Sequence, residues 1–306
     1  MGGTPGKIGP RLPDAKPRGQ GVFACCLLPV ARCLLLPVAC CLLPAASLGA
    51  QSILLPNDAR TFEYPLASSR SSALVGRVMH VGRGESQFGS EWEAEAGLGE
   101  IWPLLALQRG RTPIFLHLGT EVFGRFSLGD AASAMISNDW QVNLVLSADM
   151  SRWRLAVEAL HESSHLGDEY RDRFPGPRVN WSREILSLWA KRTAGQVTAS
   201  LNASYAVIDA LDLGPLGLAL GLDYVGKRGE IIGGGSAQAV LALNVDAQEY
   251  TDWEPTLAGR AGVRFSDPTR RRGFSMLLTW LDGMSPQRQF YLEKSRYFGV
   301  EVRFDL

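Results

Sequence analysis

Cysteine is confined to the start of this chain. All five cysteines lie between Cys25 and Cys41, and no later residue carries a thiol. This absence excludes a disulfide framework and a cysteine-rich metal site from the rest of the chain. A phosphate-binding loop is excluded as well. The glycine-containing stretches SLGDAASAM and IIGGGSAQ are not followed by a helix that opens with Lys-Ser or Lys-Thr.

A long uninterrupted apolar run is also missing. A membrane-spanning helix needs about 20 consecutive apolar residues, whereas Arg32 and three prolines interrupt the apolar stretch around the cysteines. Basic residues precede this stretch and small residues follow it, which is typical of a secretory signal peptide. We therefore predict that residues 1–50 are a cleaved signal peptide. A retained anchor and a lipoprotein start at Cys25 or Cys40 are the alternatives.

The chain has no excess of positive charge. Residues 1–50 hold five of the 31 basic and one of the 31 acidic side chains, so the remainder carries a net charge of −4. Neutralising phosphates requires a clustered positive surface that this balance does not supply. We therefore predict no nucleic-acid partner.

From Ala73 onward the dominant sequence period is two. In LGLALGLDY, leucines and a tyrosine alternate with Gly, Ala and Asp, and QVTASLNASYAV and WQVNLVLSA repeat the pattern. Such alternation is typical of strands with one apolar face. About twelve strands are predicted, near 73–81, 90–107, 112–126, 138–149, 152–164, 178–191, 195–208, 215–226, 236–247, 253–266, 272–283 and 295–306.

Three features favour a transmembrane barrel over a soluble sandwich. The polar faces carry small residues and charges of both signs, which suits a crowded lumen, and tryptophans recur near strand ends as in an interfacial girdle. Short and long connections alternate, except around 208–236. The final segment RYFGVEVRFDL ends on an apolar strand residue. It resembles the C-terminal signal that hands outer-membrane barrels to their assembly machinery. The predicted fold is therefore an all-β antiparallel transmembrane β-barrel of about twelve strands.

The predicted domains follow from this fold. Residues 51–72 form a periplasmic N-terminal segment, and residues 73–306 form the barrel in the bacterial outer membrane. Outer-membrane lipids and, through the last strand, the barrel-assembly machinery are the predicted partners. Inward charges of both signs predict an ion-paired lumen rather than a wide pore.

The stretch VEALHESSHLGDEY contains two of the four histidines of the chain. Trp153, Leu155, Val157 and Ala159 define an apolar outward face, and the same phase places His161, Ser163 and His165 on it near the outer rim. Polar groups on a lipid-facing wall cost free energy away from the headgroups. These residues are therefore the candidate site of the sequence.

The outward His-x-Ser pair resembles that of the outer-membrane phospholipase A and lipid A deacylase barrels. That resemblance implies that His161 is the base and Ser163 is the nucleophile on a membrane-lipid ester. Serine needs such a base within hydrogen-bond reach, and residues two apart on a strand share a face. A polar residue of the next strand would orient the imidazole. Asn180 is the assigned residue, and Glu184 has the same parity as Leu186 and Leu188.

Two other interpretations of the rim stay open. Histidine and serine there could simply bind headgroups or loop backbone. Alternatively His165, Asp168 and Glu169 could hold a divalent ion; carboxylate oxygens would favour Ca²⁺, while added imidazole would favour a transition metal.

The segments HESSHLGDEY and SPQRQFYLEKSRYFGVEVRF are similar to the hallmark segments of an uncharacterised bacterial outer-membrane family, a domain-of-unknown-function family. This resemblance implies the localisation and the fold but no activity. Two functions therefore remain: a non-catalytic barrel serving as a narrow channel or surface scaffold, which is the preferred hypothesis, and a lipid-ester hydrolase.

Overall fold

The fold follows from the alternation of apolar and polar residues along the strands. The computed structural model describes residues 51–54, 62–71, 74–83, 91–109, 112–129, 133–174, 176, 178–231, 234–267 and 273–305. The predicted signal peptide lies outside these residues. None of the helices in the described ranges is long and apolar enough to cross a membrane.

Twelve antiparallel strands form one closed barrel, which confirms the predicted fold class. Each strand pairs with its neighbours in chain order, and the last strand pairs with the first. The barrel strands are β2 (Leu74–Arg83), β3 (Trp92–Arg109), β4 (Thr112–Ser127), β5 (Met135–Met150), β6 (Trp153–Leu166), β7 (Ser182–Ala194), β8 (Val197–Asp209), β9 (Leu216–Val225), β11 (Ser236–Gln248), β12 (Thr256–Ser266), β13 (Gly273–Met284) and β14 (Lys294–Asp305).

Two short strands extend the sheet beyond the ring. β1 (Gln51–Leu54) pairs with the end of β3, and β10 (Gly229–Glu230) pairs with the start of β11. The connection at 226–235, which is long where a short turn is expected, therefore contains its own strand. The predicted bounds of β8, β9 and β11 agree with the structure to within two residues.

Within the described residues, three short helices lie between strands. Helix α1 (Asp168–Arg173) follows β6, and two 3-10 helices (Glu249–Thr251 and Arg288–Phe290) follow β11 and β13. All three lie at the same end of the barrel, which we call the loop end. The opposite end, where the 151–152 and 195–196 turns lie, is the turn end.

The outer wall is apolar and the lumen is polar, the reverse of a soluble protein. In β5, Val142 and Leu144 are exposed on the outside, while Gln141 and Asn143 are buried inside. The same alternation holds along β8, β9 and β11. Closing the sheet into a ring leaves no strand edge exposed to the lipid. The outward-facing apolar side chains of the strands form an exposed wall and not a core between two sheets.

Buried ion pairs fill the lumen. Arg77 contacts Glu95 at 3.0 Å and Glu301 at 2.7 Å, and Arg260 contacts Glu301 at 3.0 Å. Arg125 contacts Glu93 at 3.0 Å. Arginine is suited to this role because its guanidinium donates several hydrogen bonds from one plane. Inward charges of both signs were expected, and they neutralise one another here.

A segment before the first barrel strand lies inside the barrel. Residues 62–71, which we call the lumen segment, begin at Phe62, whose buried ring packs edge to face on Trp189. The Tyr64 hydroxyl donates to the Glu158 carboxylate and accepts a hydrogen bond from Asn143. Burial raises the pKa of the Tyr64 phenol well above its usual value, with Glu158 adding to the shift. Tyr64 is therefore a neutral donor.

The far part of the lumen segment is held by charge. Arg70 contacts Glu95 at 3.3 Å, forms an ion pair with Asp139 and donates to the Pro286 carbonyl oxygen at 2.8 Å. The next residue, Ser71, accepts a hydrogen bond from Arg303 at 2.7 Å. Residues 62–71 therefore bridge the lumen from side to side.

Two tryptophans differ from the predicted girdle. Trp140, Trp153 and Trp280 are exposed on strands, as expected for interfacial residues, and Trp253 is exposed in the connection after β11. Trp181 and Trp189, however, are buried inside, where their indoles donate to Glu162 at 2.9 Å and to Glu158 at 2.8 Å. The parity of Trp189 opposes that of Leu186 and Leu188, which is why it points inward.

Candidate active site

The outer face of β6 carries the candidate site at the loop end. Along this face the exposed Trp153, Leu155 and Val157 give way to His161, Ser163 and His165, while Glu158 and Glu162 are buried on the inner face. The predicted outward placement of the three polar residues agrees with the structure. Alternation alone produces it, because the strand continues unbroken to Leu166.

His161 has an acidic partner on the neighbouring strand. Its Nδ1 lies 2.7 Å from Glu184 Oε1, and the two residues are direct cross-strand partners in the pairing of β6 with β7. The imidazole is 43% exposed and the carboxylate 26%. A carboxylate at Nδ1 fixes the ring orientation and leaves Nε2 as the free basic nitrogen.

Ser163 is the next outward residue of β6. It pairs with Trp140 of β5 on one side and with Ser182 of β7 on the other. Residues two apart on a strand are about 6.5 Å apart along the chain. Among the described contacts none joins the Ser163 hydroxyl to His161. The serine and the imidazole therefore share a face without being hydrogen-bonded in this state.

Asn180, the orienting residue predicted from the sequence, lies elsewhere. It is exposed and precedes β7, which begins at Ser182. The side chain that reaches His161 belongs to Glu184. The sequence contained a signal for this residue, since Glu184 is a carboxylate in the apolar phase of Leu186 and Leu188. The predicted strand began too early, which made Asn180 look like a rim residue of the strand itself.

The three predicted metal ligands do not converge. His165 points outward from β6, whereas Asp168 and Glu169 are exposed in the first turn of α1. Asp168 contacts Arg171 at 3.1 Å. Within the described ranges no three His, Cys, Asp or Glu side chains lie close enough to hold a metal ion. In this arrangement the three side chains do not form an ion site, which therefore stays a prediction from the sequence.

An apolar surface surrounds the candidate site. Trp140 is exposed beside Ser163, and its indole donates to Asn138 Oδ1 at 2.7 Å. Val142 and Leu144 of β5 and Leu186 of β7 are exposed at and below the level of His161. Aromatic side chains with a polar edge prefer the headgroup region of a bilayer. The site therefore lies where an apolar wall meets a polar rim.

The solved structures that this chain resembles include outer-membrane barrels. Outer membrane phospholipase A from Escherichia coli has a TM-score of 0.52 at 15% identity, covering 82% of this chain and 94% of that chain. The Salmonella typhi outer membrane phospholipase, a dimer with bound calcium, gives 0.52 at 14% identity with the same coverage. LpxR from Salmonella typhimurium gives 0.37 at 10% identity, covering 77% of this chain and all of that one. At such low identities, the two phospholipase structures support the barrel fold alone.

A search of the functionally curated proteins gives no significant match. A family model does match: the one described as a protein of unknown function (DUF1207) covers residues 84–306. This range includes both segments that indicated an uncharacterised outer-membrane family, and it exceeds half of the chain. The chain is therefore a member of the DUF1207 family.

Proposed function

We propose that this barrel hydrolyses an ester bond of a membrane lipid at its outer wall. His161 is the base, Ser163 is the nucleophile and Glu184 orients the imidazole. The observation that carries the proposal is the 2.7 Å contact between His161 Nδ1 and Glu184 Oε1 on the lipid-facing side. A hydrogen-bonded ionisable pair on such a wall is costly. A catalytic use explains its position there.

The proposed chemistry needs only these three side chains and water. Ser163 Oγ attacks the ester carbonyl carbon while His161 Nε2 takes the hydroxyl proton, and Glu184 stabilises the resulting imidazolium. The ester C–O bond then breaks, and His161 returns the proton to the departing alcohol oxygen. A water molecule, deprotonated by His161, then attacks the acyl carbon. The bond from this carbon to Ser163 Oγ breaks, His161 returns the proton to Oγ, and the acyl chain leaves as a carboxylic acid.

The substrate class follows from the surroundings of the site. An ester of a phospholipid or of lipid A lies between a polar headgroup and its acyl chains. Trp140 and Asn138 line the polar side of the site, and Val142, Leu144 and Leu186 offer an apolar track for the chain. Approach from the membrane would bring the ester to Ser163 without passage through the lumen.

The second candidate is a non-catalytic barrel. It is favoured by the separation of Ser163 from His161, since a rim that only contacts headgroups needs no bond between them. A surface scaffold fits the filled lumen better than a channel does, because the lumen segment and its ion pairs occupy the space that a conducting path would need.

Residence in the outer membrane and assembly through β14 complete the proposal. The exposed Phe298, Val300 and Phe304 form an apolar outer stripe on this strand. Such a stripe is what a barrel-assembly machinery would recognise. Leu306 lies outside the described residues.

The test is ester cleavage by the refolded protein in mixed micelles of phospholipid or lipid A. We expect fatty acid release from the wild type and its loss, by about 10³-fold or more, in Ser163→Ala and His161→Ala. Ser182→Ala is the matched control, because Ser182 lies on the same outward rim directly opposite Ser163. Its activity should stay within about twofold of the wild type, since it has no assigned step.

Absence of cleavage in the wild type, or equal cleavage by wild type and Ser163→Ala, would assign the barrel to the non-catalytic class. Running each assay with Ca²⁺ and with a chelator also tests the predicted metal ligands. Dependence on Ca²⁺ that disappears in Asp168→Asn would support the ion site predicted from the sequence.

A further inference from the structure

The connection between β13 and β14 folds into the lumen at the loop end. Ser285, Gln287 and Gln289 are buried there, with at most 6% of each residue exposed. We call residues 285–291 the inner loop; it forms the first part of the second hallmark segment, SPQRQFYLEKS. It follows β13, far along the chain from β5 and β6, yet it contacts both of these strands and Val179, which precedes β7.

Three successive residues of the inner loop each form hydrogen bonds to different residues of the barrel. Gln287 Oε1 accepts a hydrogen bond from Ser137 of β5. Arg288 Nε donates to Glu162 of β6 at 2.8 Å. Gln289 Nε2 donates to two backbone carbonyl oxygens, those of Ser164 and Val179, at 2.9 Å each.

Gln289 acts where the strand ladder ends. The pairing of β6 with β7 stops at Ser163 and Ser182, and the following backbone bond from Ser164 to Trp181 is 3.3 Å long. The two bonds from Gln289 hold the chains together beyond that point. The Gln289 amide thus links the two chains just beyond Ser163, where the backbone pairing of β6 with β7 ends.

The contacts on the inner face of β6 restrict the orientation of Ser163 on its outer face, because these residues are consecutive in the chain. Glu162 and Ser164 point inward on either side of Ser163, which points outward. Glu162 is also held by Gln141 at 2.7 Å, and the Ser164 hydroxyl donates to Asp139 at 2.5 Å. With both neighbours fixed, the Cα–Cβ direction of Ser163 is fixed too, because a strand has little freedom left between two anchored residues.

We infer that Gln289 is a positioning residue for the outward pair. From inside the lumen it holds the end of β6 so that position 163 stays within reach of His161, whose ring Glu184 orients on β7. This inference rests on the proposed function, since it concerns the geometry of the same pair.

The test uses the full chain with serine in place of its five cysteines and with Ser163→Cys as the single thiol. Alkylation by iodoacetamide in detergent micelles is measured as a function of pH. The pH at the midpoint of the rate profile gives the pKa of the introduced thiol, which a nearby imidazole lowers by stabilising the thiolate. The plateau at high pH reports access to the thiol. Lipid turnover is not needed for this readout.

Three second changes are compared in this background: His161→Ala, Gln289→Met and Gln238→Met. Gln238 is the matched control, because its Nε2 also donates to a backbone carbonyl, that of Gly226 at 2.8 Å, but near the turn end. We expect His161→Ala and Gln289→Met each to slow alkylation at neutral pH about tenfold. The plateau should be unchanged, and Gln238→Met should match the parent.

The two possible failures are distinct. If His161→Ala leaves the profile unchanged, position 163 is not within reach of the imidazole, and the proposed catalytic pair and this inference both fall. If His161→Ala shifts the profile and Gln289→Met does not, the pair stands and only the role of Gln289 is overturned. Folding is checked by heat-modifiable gel mobility. Loss of the folded barrel in both Gln289→Met and Gln289→Ala would assign Gln289 to stability and overturn the inference.

Discussion

Glu184 is the acidic residue that contacts His161 on the outer wall of the barrel. It occupies a lipid-facing position in the phase of Leu186 and Leu188, and it lies directly opposite His161. A carboxylate there is unfavourable unless it has a partner and water nearby. Its pairing with Nδ1 leaves the other ring nitrogen available for proton transfer.

Replacing Glu184 by Gln should lower ester cleavage without removing it. The amide keeps the shape and can still bind Nδ1, but it no longer stabilises a positive imidazolium, so we expect a loss of about 10²-fold to 10⁴-fold in kcat. Asn180→Ala should leave activity unchanged, because Asn180 lies outside β7. The measurement is fatty acid release at saturating lipid. The reverse order of effects would return the orienting role to Asn180.

Among the elements, the lumen segment packs inside the barrel, in the place where a soluble protein has its apolar core. Phe62 and Tyr64 contact an aromatic and polar patch, while Arg70 joins β3, β5 and the inner loop. Removing one member of a buried ion-pair network leaves uncompensated charge, which costs more than the network contributes when complete.

Arg70→Met should therefore destabilise the barrel by about 3–5 kcal/mol. Glu95 keeps Arg77 and Arg125, but Asp139 loses its ion-pair partner among the contacts described. The urea midpoint in detergent, followed by heat-modifiable mobility, measures the effect. Arg296→Met is the control, since its pair with Asp282 is exposed and screened by solvent, so its midpoint should stay close to that of the wild type. Equal midpoints for the two variants would show that the lumen segment does not support the barrel.

At the scale of the whole molecule, twelve strands set the size of the lumen. Eight-stranded barrels are filled by their own side chains, and barrels of 16 to 18 strands leave an aqueous channel. This barrel lies between those sizes, and the lumen segment and inner loop occupy its interior. A cavity of about 130 Å³ lies among residues such as Glu158, Asn244 and Tyr250.

The wild-type protein should therefore pass almost no current across a planar bilayer. Deleting residues 62–71 should produce measurable steady conductance if the shortened chain still shows the mobility of a folded barrel, because the deletion empties the centre of the lumen. Large, steady conductance in the wild type would contradict a filled lumen and would favour the channel hypothesis.

The sequence by itself determined the strands, their faces and their order. Period-two alternation places Val142 outside and Gln141 inside, and it places His161 and Ser163 outside as well, because the pleat of a strand leaves no other choice. Antiparallel neighbours with short connections pair in chain order, so the closed barrel could be predicted. The family resemblance rested instead on the two segments HESSHLGDEY and SPQRQFYLEKSRYFGVEVRF.

Only the tertiary structure decided which distant residues meet. Nothing local to residues 62–71 predicts that Arg70 contacts Asp139, or that Gln289 binds the Ser164 carbonyl oxygen, since these contacts join parts of the chain that only barrel closure brings together. Glu184, and not Asn180, lies opposite His161 because β7 begins at Ser182 and pairs with β6 in this register. Alternation fixes which face a side chain takes, whereas register and closure fix its partner.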